Sequence, residues 1–258
     1  MAPADDETVL RWSGGELRSL GTDHAVALLA ADSWLVDDGA VRGYDAHWER
    51  FGGWTDALGV RAAELSSFRA AVTAQLSRDG RWFPRVEVVE DRGSWLQLRV
   101  RPARPAATEA RVLVASPGDP RVRPTWKGPD VALLHTLRAR ATAAGADELL
   151  LCDADGRLVE GVFDSLLWWE DLALCTTPSQ LTLPGVTRRL LLEIAGERGV
   201  ELRVCSPLPA ELVQRETWLT NALHGIRVIT AWGDVVAAPA TQAEEWRAAL
   251  ARTACPLA

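Results

Sequence analysis

The sequence is almost without lysine: of its 28 basic residues, 27 are arginine and one, Lys127, is lysine. Guanidinium serves most solvated cation positions as well as ammonium does, so lysine is needed mainly where the chemistry differs. A primary amine can lose its proton and attack a carbonyl carbon, whereas guanidinium stays protonated at physiological pH. The count therefore marks Lys127 as a candidate nucleophile, with a leftover surface lysine as the alternative.

Other features that the sequence lacks exclude whole classes of protein. No apolar run approaches the roughly 18 residues that a membrane span needs, and the first residues lack the basic-then-apolar layout of a secretory signal. The net charge of −7 leaves no basic footprint for nucleic acid. We therefore expect a cytoplasmic α/β protein that binds neither nucleic acid nor membrane.

Metal and disulfide chemistry also find little support. The cysteines form no CxxC pair and have no histidine at ligand spacing, which is typical of reduced thiols. The histidines form neither an HxxxH nor an HExxH pattern, and we expect no metal site. These scattered residues are Cys152, Cys175, Cys205 and Cys255, with His24, His135 and His224.

The pattern of elements predicts two α/β domains. Strands are expected over 9–20, near 25–44 and in VEVVE and WLQLRVRP, with helices from Asp45 and over 60–77. Residues 102–126 are rich in proline, and PGDPRVRPTW is the best candidate linker. Beyond it, a helix at LLHTLRARATAAGADE, an array of strands, a long helix at VTRRLLLEIAGERG, a short helix at PAELVQ and a closing strand pair are expected. We place the boundary at 122/123, giving domains 1–122 and 123–258.

Three further positions are candidates for chemistry. Pro184-Gly185 opens a helix in LPGVTRR, and a helix N-terminus attracts phosphate through unpaired N–H groups and the helix dipole; an ordinary capped helix is the alternative. Glu160 ends an apolar strand, where a carboxylate needs a cationic partner such as a pyridine nitrogen or a nearby arginine. Arg50 shares a helix face with His47 and Trp54 and could clamp a phosphate, or be an ordinary surface arginine.

Three segments together resemble a known family. GADELLLCDADGRLVEG, LTLPGVTRRLLLEIAGERGVEL and ETWLTNALHGIRVI look like the C-terminal half of class IV aminotransferases, which include branched-chain and D-amino-acid aminotransferases and aminodeoxychorismate lyase. The distance from Lys127 to GADE matches the position of the family's lysine and is close to the lyase spacing. In the N-terminal part, DDGAVRGYDAHWERF resembles the family's strand-turn-helix that ends in His-x-x-Arg.

The resemblance implies a two-domain fold of type IV with pyridoxal 5'-phosphate (PLP) as the cofactor. Lys127 would then be the Schiff-base lysine and proton shuttle, and Glu160 the partner of the pyridine nitrogen. The remaining cofactor-binding positions would surround the phosphate and the turn beside it: Arg50, Leu183, Gly185, Val186, Thr187, Asn221 and Ala222. A homodimer is also implied, because family active sites lie near the subunit interface.

The sequence departs from the family pattern at the substrate side. Gly128-Pro129-Asp130-Val131 follows the lysine, where relatives usually supply Asn with Tyr or Arg near the cofactor phenolate. The family's Arg-Gly loop is shortened to RVRPARP. Arg99 and Arg101 are candidates for binding a substrate carboxylate, or are a strand pair of solvated cations, and Ser33 falls roughly where relatives carry a cofactor-side threonine.

Three functions remain open at this point. The leading hypothesis is a transaminase that moves an amino group between an amine or amino acid and a keto acid. The second is elimination of pyruvate, as in 4-amino-4-deoxychorismate lyase, which the spacing favours and the departures disfavour. The third is a PLP-binding protein with little catalysis.

Overall fold

The structure, a computed structural model, describes residues 7–20 and 26–257; His24 lies outside the described residues. Two compact units result from the contacts within the chain. Unit 1 takes the described part of Met1–Pro105 together with Trp126–Pro129 and the C-terminal Ala254–Ala258, and unit 2 takes Ala106–Thr125 and Asp130–Thr253. The chain therefore leaves unit 2 for four residues around the single lysine before it returns.

Unit 1 is built from antiparallel strands and two helices. In its described residues, one five-stranded sheet has the order β2-β1-β8-β7-β3 and one four-stranded sheet the order β18-β5-β4-β6. The elements are β1 (Thr8–Ser13), β2 (Glu16–Ser19), β3 (Ala27–Ser33), β4 (Val36–Asp37), β5 (Ala40–Arg42), α1 (Tyr44–Ala57), α2 (Ala62–Gln75), β6 (Arg81–Trp82), β7 (Arg85–Glu90), β8 (Ser94–Val100) and, at the end of the chain, β18 (Ala254–Pro256).

Aromatic side chains make much of the core of unit 1. Trp34, Trp48, Phe51 and Phe68 are buried, and Trp48 makes edge contacts with both phenylalanines at centroid distances of 6.0 Å. Helix α1 supplies Trp48 and Phe51 because its buried residues recur every three to four positions. Each such side chain contributes about 1.5–3 kcal/mol on burial, which fixes α1 against its surroundings and with it the polar residues on the same helix.

Unit 2 is built around a mixed sheet whose order in the described residues is β11-β10-β9-β16-β15-β12-β13-β14, with β17 paired to β16. Its elements are β9 (Glu109–Val114), α3 (Val131–Ala143), β10 (Glu148–Cys152), β11 (Leu158–Gly161), β12 (Ser165–Glu170), β13 (Ala173–Thr176), a 3₁₀ turn (Ser179–Leu181), α4 (Val186–Glu197), β14 (Leu202–Val204), α5 (Pro209–Leu212), β15 (Thr217–Asn221), β16 (Gly225–Trp232), β17 (Val235–Val236) and α6 (Ala243–Ala251).

The sheet of unit 2 is buried on both faces. Successive residues of β12 point to opposite sides, so that Leu166 and Trp168 join one apolar cluster while Leu167 joins the other. The second cluster is completed by Leu191 of α4 and Trp246 of α6. A strand that is covered on both sides is expected to be continuously apolar, as SLLWW is.

The predicted mixed α/β class is confirmed, and so are the predicted strands and helices on either side of the linker. Helix α6 was not predicted. Its first N–H groups are capped by the carboxylate of Glu216, which accepts from Ala243 N at 3.0 Å across 27 residues of sequence. A cap this distant leaves no local signal in the sequence.

The two compact units do not divide at the predicted boundary of 122/123. Residues 106–122 belong to unit 2 because β9 pairs in parallel with β10 and β16. Strand β18 belongs to unit 1 because it pairs with β5. The division of the chain into folding domains 1–122 and 123–258 stays a prediction.

Candidate active site

The backbone around Lys127 is fixed against strand β3 in unit 1. Lys127 O accepts a hydrogen bond from Ala31 N at 2.7 Å, and Trp126 Nε1 donates to Leu29 O at 2.8 Å. The Trp126 ring stacks on Trp54 of α1 with centroids 6.1 Å apart. A Cβ added at Gly128 would lie 2.3 Å from Leu29 O, so only glycine allows the backbones to come this close. The lysine therefore stands on a rigid base.

The surroundings of the Lys127 amine favour its neutral form. The side chain is partly buried, and its desolvation lowers the pKa of Lys127 from 10.5 to about 7. The charge of Asp32 acts to raise this pKa, while those of Arg50, Arg85 and Arg101 lower it further. A neutral amine is the reactive form in attack on a carbonyl carbon. The structure thus gives the lone lysine the electronic state that a nucleophile needs.

A fully buried carboxylate, Asp32, organises the residues near this amine. It accepts hydrogen bonds of 2.7 Å from His47 Nδ1, from Arg50 Nε and Nη2, and from Ser33 N. Burial alone would raise the pKa of Asp32, but the charge of Arg50 and the hydrogen bonds from Arg50 and His47 outweigh it and hold that pKa well below its usual range. Sequence reasoning missed Asp32; the available signal was an acidic residue inside the apolar run ALLAADSW.

These bonds define what Arg50 and Ser33 do. Arg50 lies on the predicted face of α1 and is bound to Asp32 through two donors, which leaves its orientation fixed. Ser33 is buried, and its backbone N–H is bound to Asp32. His47, on the same face, has a lowered pKa because it is buried, although Asp32 opposes the shift. The roles of Arg50 toward a phosphate and of Ser33 toward a cofactor stay predictions.

Arginines of β7 and β8 form a second charged group in unit 1. The carboxylate of Glu87, which is 1% exposed, accepts from Arg85 and Gln97, and from Arg99 Nε at 3.3 Å. Arg99 also pairs with Glu7. Arg101 Nε donates to Phe83 O at 3.1 Å. Of the two predicted substrate-side arginines, Arg99 is therefore bound to carboxylates of the chain itself, whereas the hydrogen bond of Arg101 is to a carbonyl.

In unit 2, Glu160 lies at the end of β11 and is 4% exposed. Its Oε1 accepts from Leu183 N at 2.9 Å and from Arg121 Nη1. Burial raises the pKa of Glu160 to about 7, while Arg121 and the Leu183 N–H act to lower it. Arg121 also pairs with Asp119 and donates to Leu181 O at 2.9 Å. The arginine partner that the sequence left as an alternative is thus present, and both bonds use one oxygen of the carboxylate.

The predicted phosphate segment forms the start of helix α4. The helix begins at Val186, directly after Gly185, and no side chain of the described residues caps it. The first N–H groups of a helix have no partner within the helix, so Val186 and Thr187 lie where an anion is stabilised. A Cβ at Gly185 would lie 2.5 Å from Ser165 Oγ, which explains the glycine. Arg188 donates to Thr182 Oγ1 at 2.8 Å and holds the preceding loop.

The predicted turn at Asn221 and Ala222 joins β15 to β16. Asn221 Nδ2 donates to Asp164 Oδ1 at 2.8 Å, and Asn221 Oδ1 accepts from His224 N at 2.8 Å. The side chain of Asn221 therefore shapes the turn. Contact of this turn with a cofactor stays a prediction.

Each unit carries groups whose chemistry fits a part of PLP. Unit 1 offers an amine with a pKa near neutrality, and unit 2 offers a buried carboxylate and an uncapped helix N-terminus. An amine, a carboxylate and an anion site match the aldehyde, ring nitrogen and phosphate of the cofactor. Among residues 7–20 and 26–257, no group of three or more His, Cys, Asp and Glu side chains is placed to hold a metal ion. No helix in this described part is long and apolar enough to cross a bilayer.

Comparison with known proteins defines the class. The sequence profile of amino-transferase class IV matches residues 29–232, which is more than half of the chain, and the chain belongs to this family. It is accordingly a PLP-dependent enzyme with the fold of type IV aminotransferases. No curated protein sequence matches it significantly.

Solved structures with the same fold include enzymes of both reaction types. A fold IV-transaminase from Curtobacterium pusillum has a TM-score of 0.80 at 21% identity, covering 96% of this chain and 98% of that one. A hypothetical aminotransferase from Mycobacterium tuberculosis, in an alpha-ketoglutarate and PMP bound form, has a TM-score of 0.81 at 19% identity, with 95% and 98% covered. A 4-amino-4-deoxychorismate lyase assigned in Legionella pneumophila has 0.75 at 17% identity, with 87% and 90% covered.

Proposed function

We propose that this enzyme is a transaminase that moves an amino group between an amine or amino acid and a keto acid. The observation that carries the proposal is the single lysine, Lys127, whose pKa is lowered to about 7 by desolvation and by three arginines. Such an amine is neutral over much of the physiological pH range and can bind the cofactor aldehyde and then exchange it for a substrate amine.

The predicted catalytic and cofactor-binding residues would each have a part in this reaction. PLP, when bound, supplies an electron sink for the charge that develops at the substrate α-carbon. Lys127 would hold the cofactor through Nζ and, when its amine is free, would accept the α-proton and return it. Glu160 would bind the ring nitrogen through Oε2, since its described contacts use Oε1. The N-terminus of α4, with Val186 and Thr187, would hold the phosphate, assisted by Arg50 and the turn of Asn221 and Ala222.

We also propose that the substrates carry carboxylates. Arg85 and Arg101 place positive charge near the Lys127 amine, and the negative charge of Asp32 acts against it. An anionic substrate would compensate this excess. The similar Mycobacterium tuberculosis structure was obtained with alpha-ketoglutarate, a dicarboxylate.

The test begins with purified protein, PLP and borohydride. Reduction should fix the cofactor on the Lys127 peptide, as found by mass spectrometry, and Lys127→Arg should abolish the modification. The loaded enzyme is then screened with amino acids and amines against keto-acid acceptors. Amino-group transfer that requires an acceptor supports the proposal, while a wild-type chain without a reducible adduct contradicts it.

The alternative is elimination of pyruvate, which the similar lyase fold and the position of Lys127 favour. Loaded enzyme incubated with 4-amino-4-deoxychorismate would release pyruvate without any acceptor if this reaction were the true one. The third alternative, binding with little catalysis, predicts the reducible adduct but no turnover with either set of substrates.

The assembly and location that the family resemblance implies are also proposals. We propose a homodimer in the cytoplasm. Light scattering on the eluting peak of a size-exclusion column should give twice the 28.1 kDa chain mass, and a monomer would contradict the proposal.

A further inference from the structure

A buried dipeptide, Asp164-Ser165, contacts three of the segments assigned to the cofactor in unit 2. The two residues are 3% and 5% exposed; Asp164 lies directly before β12, and Ser165 is the first residue of that strand. Neither residue is among the predicted site residues, and the proposed reaction uses neither. Their contacts are with β11, with the start of α4 and with the turn after β15.

The first contact is with the strand that carries Glu160. Gly161 directly follows Glu160 in the chain, and its N–H donates to Asp164 O at 2.8 Å. A Cβ at Gly161 would lie 3.2 Å from Glu148 Cγ and 3.3 Å from Asp164 Cβ, so the strand end is closely packed on both acidic side chains. The position of Glu160 therefore depends on the backbone and side chain of Asp164.

The second and third contacts lead to the phosphate side. Ser165 Oγ fills the space below Gly185, where α4 begins. Asp164 Oδ1 accepts from Asn221 Nδ2 at 2.8 Å, and Asn221 in turn accepts from His224 N, which closes the turn. One dipeptide thus sets the positions of the helix N-terminus and of the turn.

The charge of Asp164 is compensated within unit 2. Arg227 Nη2 donates to Asp164 Oδ2 at 2.7 Å and to Glu148 Oε2 at 3.3 Å, and all three side chains are at most 2% exposed. Burial, together with Asp164, raises the pKa of Glu148 well above its usual range, which favours the protonated form of Glu148 beside the ionised Asp164. A buried network in which the charges balance is rigid, because moving one member leaves another unpaired.

We propose that Asp164 is a positioning residue for the cofactor phosphate, which holds the turn of Asn221 and Ala222 in place relative to Glu160. The inference rests on the proposed function of these segments. Asp164 is assigned no contact with the reacting atoms and acts through Asn221 and Gly161.

The test compares PLP with pyridoxal, which lacks the phosphate. Dissociation constants of both are measured for the wild type, Asp164→Asn and Asn221→Ala; Asp164→Asn removes the charge that strengthens the hydrogen bond to Asn221, and Asn221→Ala removes the bond itself. We expect the preference for PLP over pyridoxal to fall about tenfold in both, since one charge-assisted hydrogen bond is at stake. The ³¹P resonance of bound PLP should shift in the same variants.

Glu216→Gln is the matched control. Glu216 is another buried carboxylate of unit 2, and it accepts from Ala243 N at 3.0 Å and from Trp218 Nε1 at 2.8 Å, away from the segments of the cofactor. The variant should lower the melting temperature but keep the preference for PLP and the ³¹P resonance. An equal loss of preference in the control, or no loss in the two test variants, overturns the inference. A wild-type chain without a reducible adduct at Lys127 overturns the proposed function instead.

Discussion

The two units shift the pKa values of Lys127 and Glu160 in opposite directions. In unit 1, burial lowers the pKa of Lys127 to about 7, and the neighbouring arginines act in the same direction. In unit 2, burial raises the pKa of Glu160 to about 7, and Arg121 acts against the shift. Burial disfavours whichever form is charged, so the sign of the residue decides the direction of its effect.

The comparison shows that arginine serves two purposes in this chain. Around Lys127, guanidinium groups add to the effect of burial by repelling the protonated amine, which favours the neutral form of the amine. The guanidinium groups of Arg121 and Arg227 pair with the carboxylates of Glu160 and Asp164 and favour their ionised forms. The arginine-rich composition therefore does not by itself show which purpose a given residue serves.

The largest effect is expected for the amine. Lys127→Ala should lower kcat at least about 1,000-fold, because the nucleophile and the proton carrier are lost together. Lys127→Arg, which retains the charge, should be equally impaired in single-turnover and steady-state assays. Turnover within tenfold of the wild type in either variant would contradict the assigned role.

Glu160→Gln should lower kcat by about 100-fold, because a neutral amide stabilises a protonated ring nitrogen less than a carboxylate does. Glutamine can still accept from Leu183 N, so the loop should keep its structure. Steady-state kinetics provide the measurement, and Glu216→Gln serves as the control. An effect in the control as large as in Glu160→Gln would indicate damage to the fold instead.

A pair of glycines compares the packing of the two units. Gly128→Ala should lower the free energy of unfolding by about 2–3 kcal/mol, because the new methyl group meets the backbone of Leu29 and Ala30, which cannot move aside. Gly185→Ala should lower the free energy of unfolding by about 1 kcal/mol, because the new methyl group meets the hydroxyl of Ser165, which can rotate. Urea unfolding of the apoprotein gives both values.

The control for this pair is Gly53→Ala on helix α1, where an added Cβ has no atom within 4 Å. It should stabilise the protein by about 0.5–1 kcal/mol through helix propensity. Equal costs at Gly128 and Gly185 would show that the packing around Lys127 is no stiffer than that at the helix start.

The smallest effect concerns pH. Below about pH 7 the amine of Lys127 is mainly protonated, so the rate of adduct formation with PLP should rise about tenfold per pH unit and level off above the pKa. Arg101→Ala removes a charge that lowers this pKa, so the inflection should move to higher pH. Stopped-flow absorbance follows the reaction, and an inflection that moves down or stays fixed would contradict the electrostatic account.

Local features of the sequence predicted much of this protein. Periodicity and turn residues predicted α1, α3 and α4 and most strands, since these depend on neighbours in sequence. The Pro184-Gly185 pair predicted where α4 begins. The single lysine in the composition pointed to Lys127. The apolar strand that ends at Glu160 pointed to this carboxylate.

The remaining features depend on residues that are distant in sequence. Asp32 contacts Arg50 across 18 residues, and Asp164 contacts Asn221 across 57. No periodicity within a segment reports such pairs. For the same reason the C-terminal strand β18, which pairs with β5, and the excursion of residues 126–129 into unit 1 were not foreseen.

The sequence by itself determined which groups are available: one side-chain amine, a carboxylate at the end of an apolar strand, and a helix start after Pro184-Gly185. Their chemical identity is a property of the residues and needs no fold. Only the tertiary structure decided their ionisation, because a pKa depends on burial and on charges that folding brings near. It also decided which carboxylates hold the others in place, since hydrogen bonds between distant residues exist only in the folded chain.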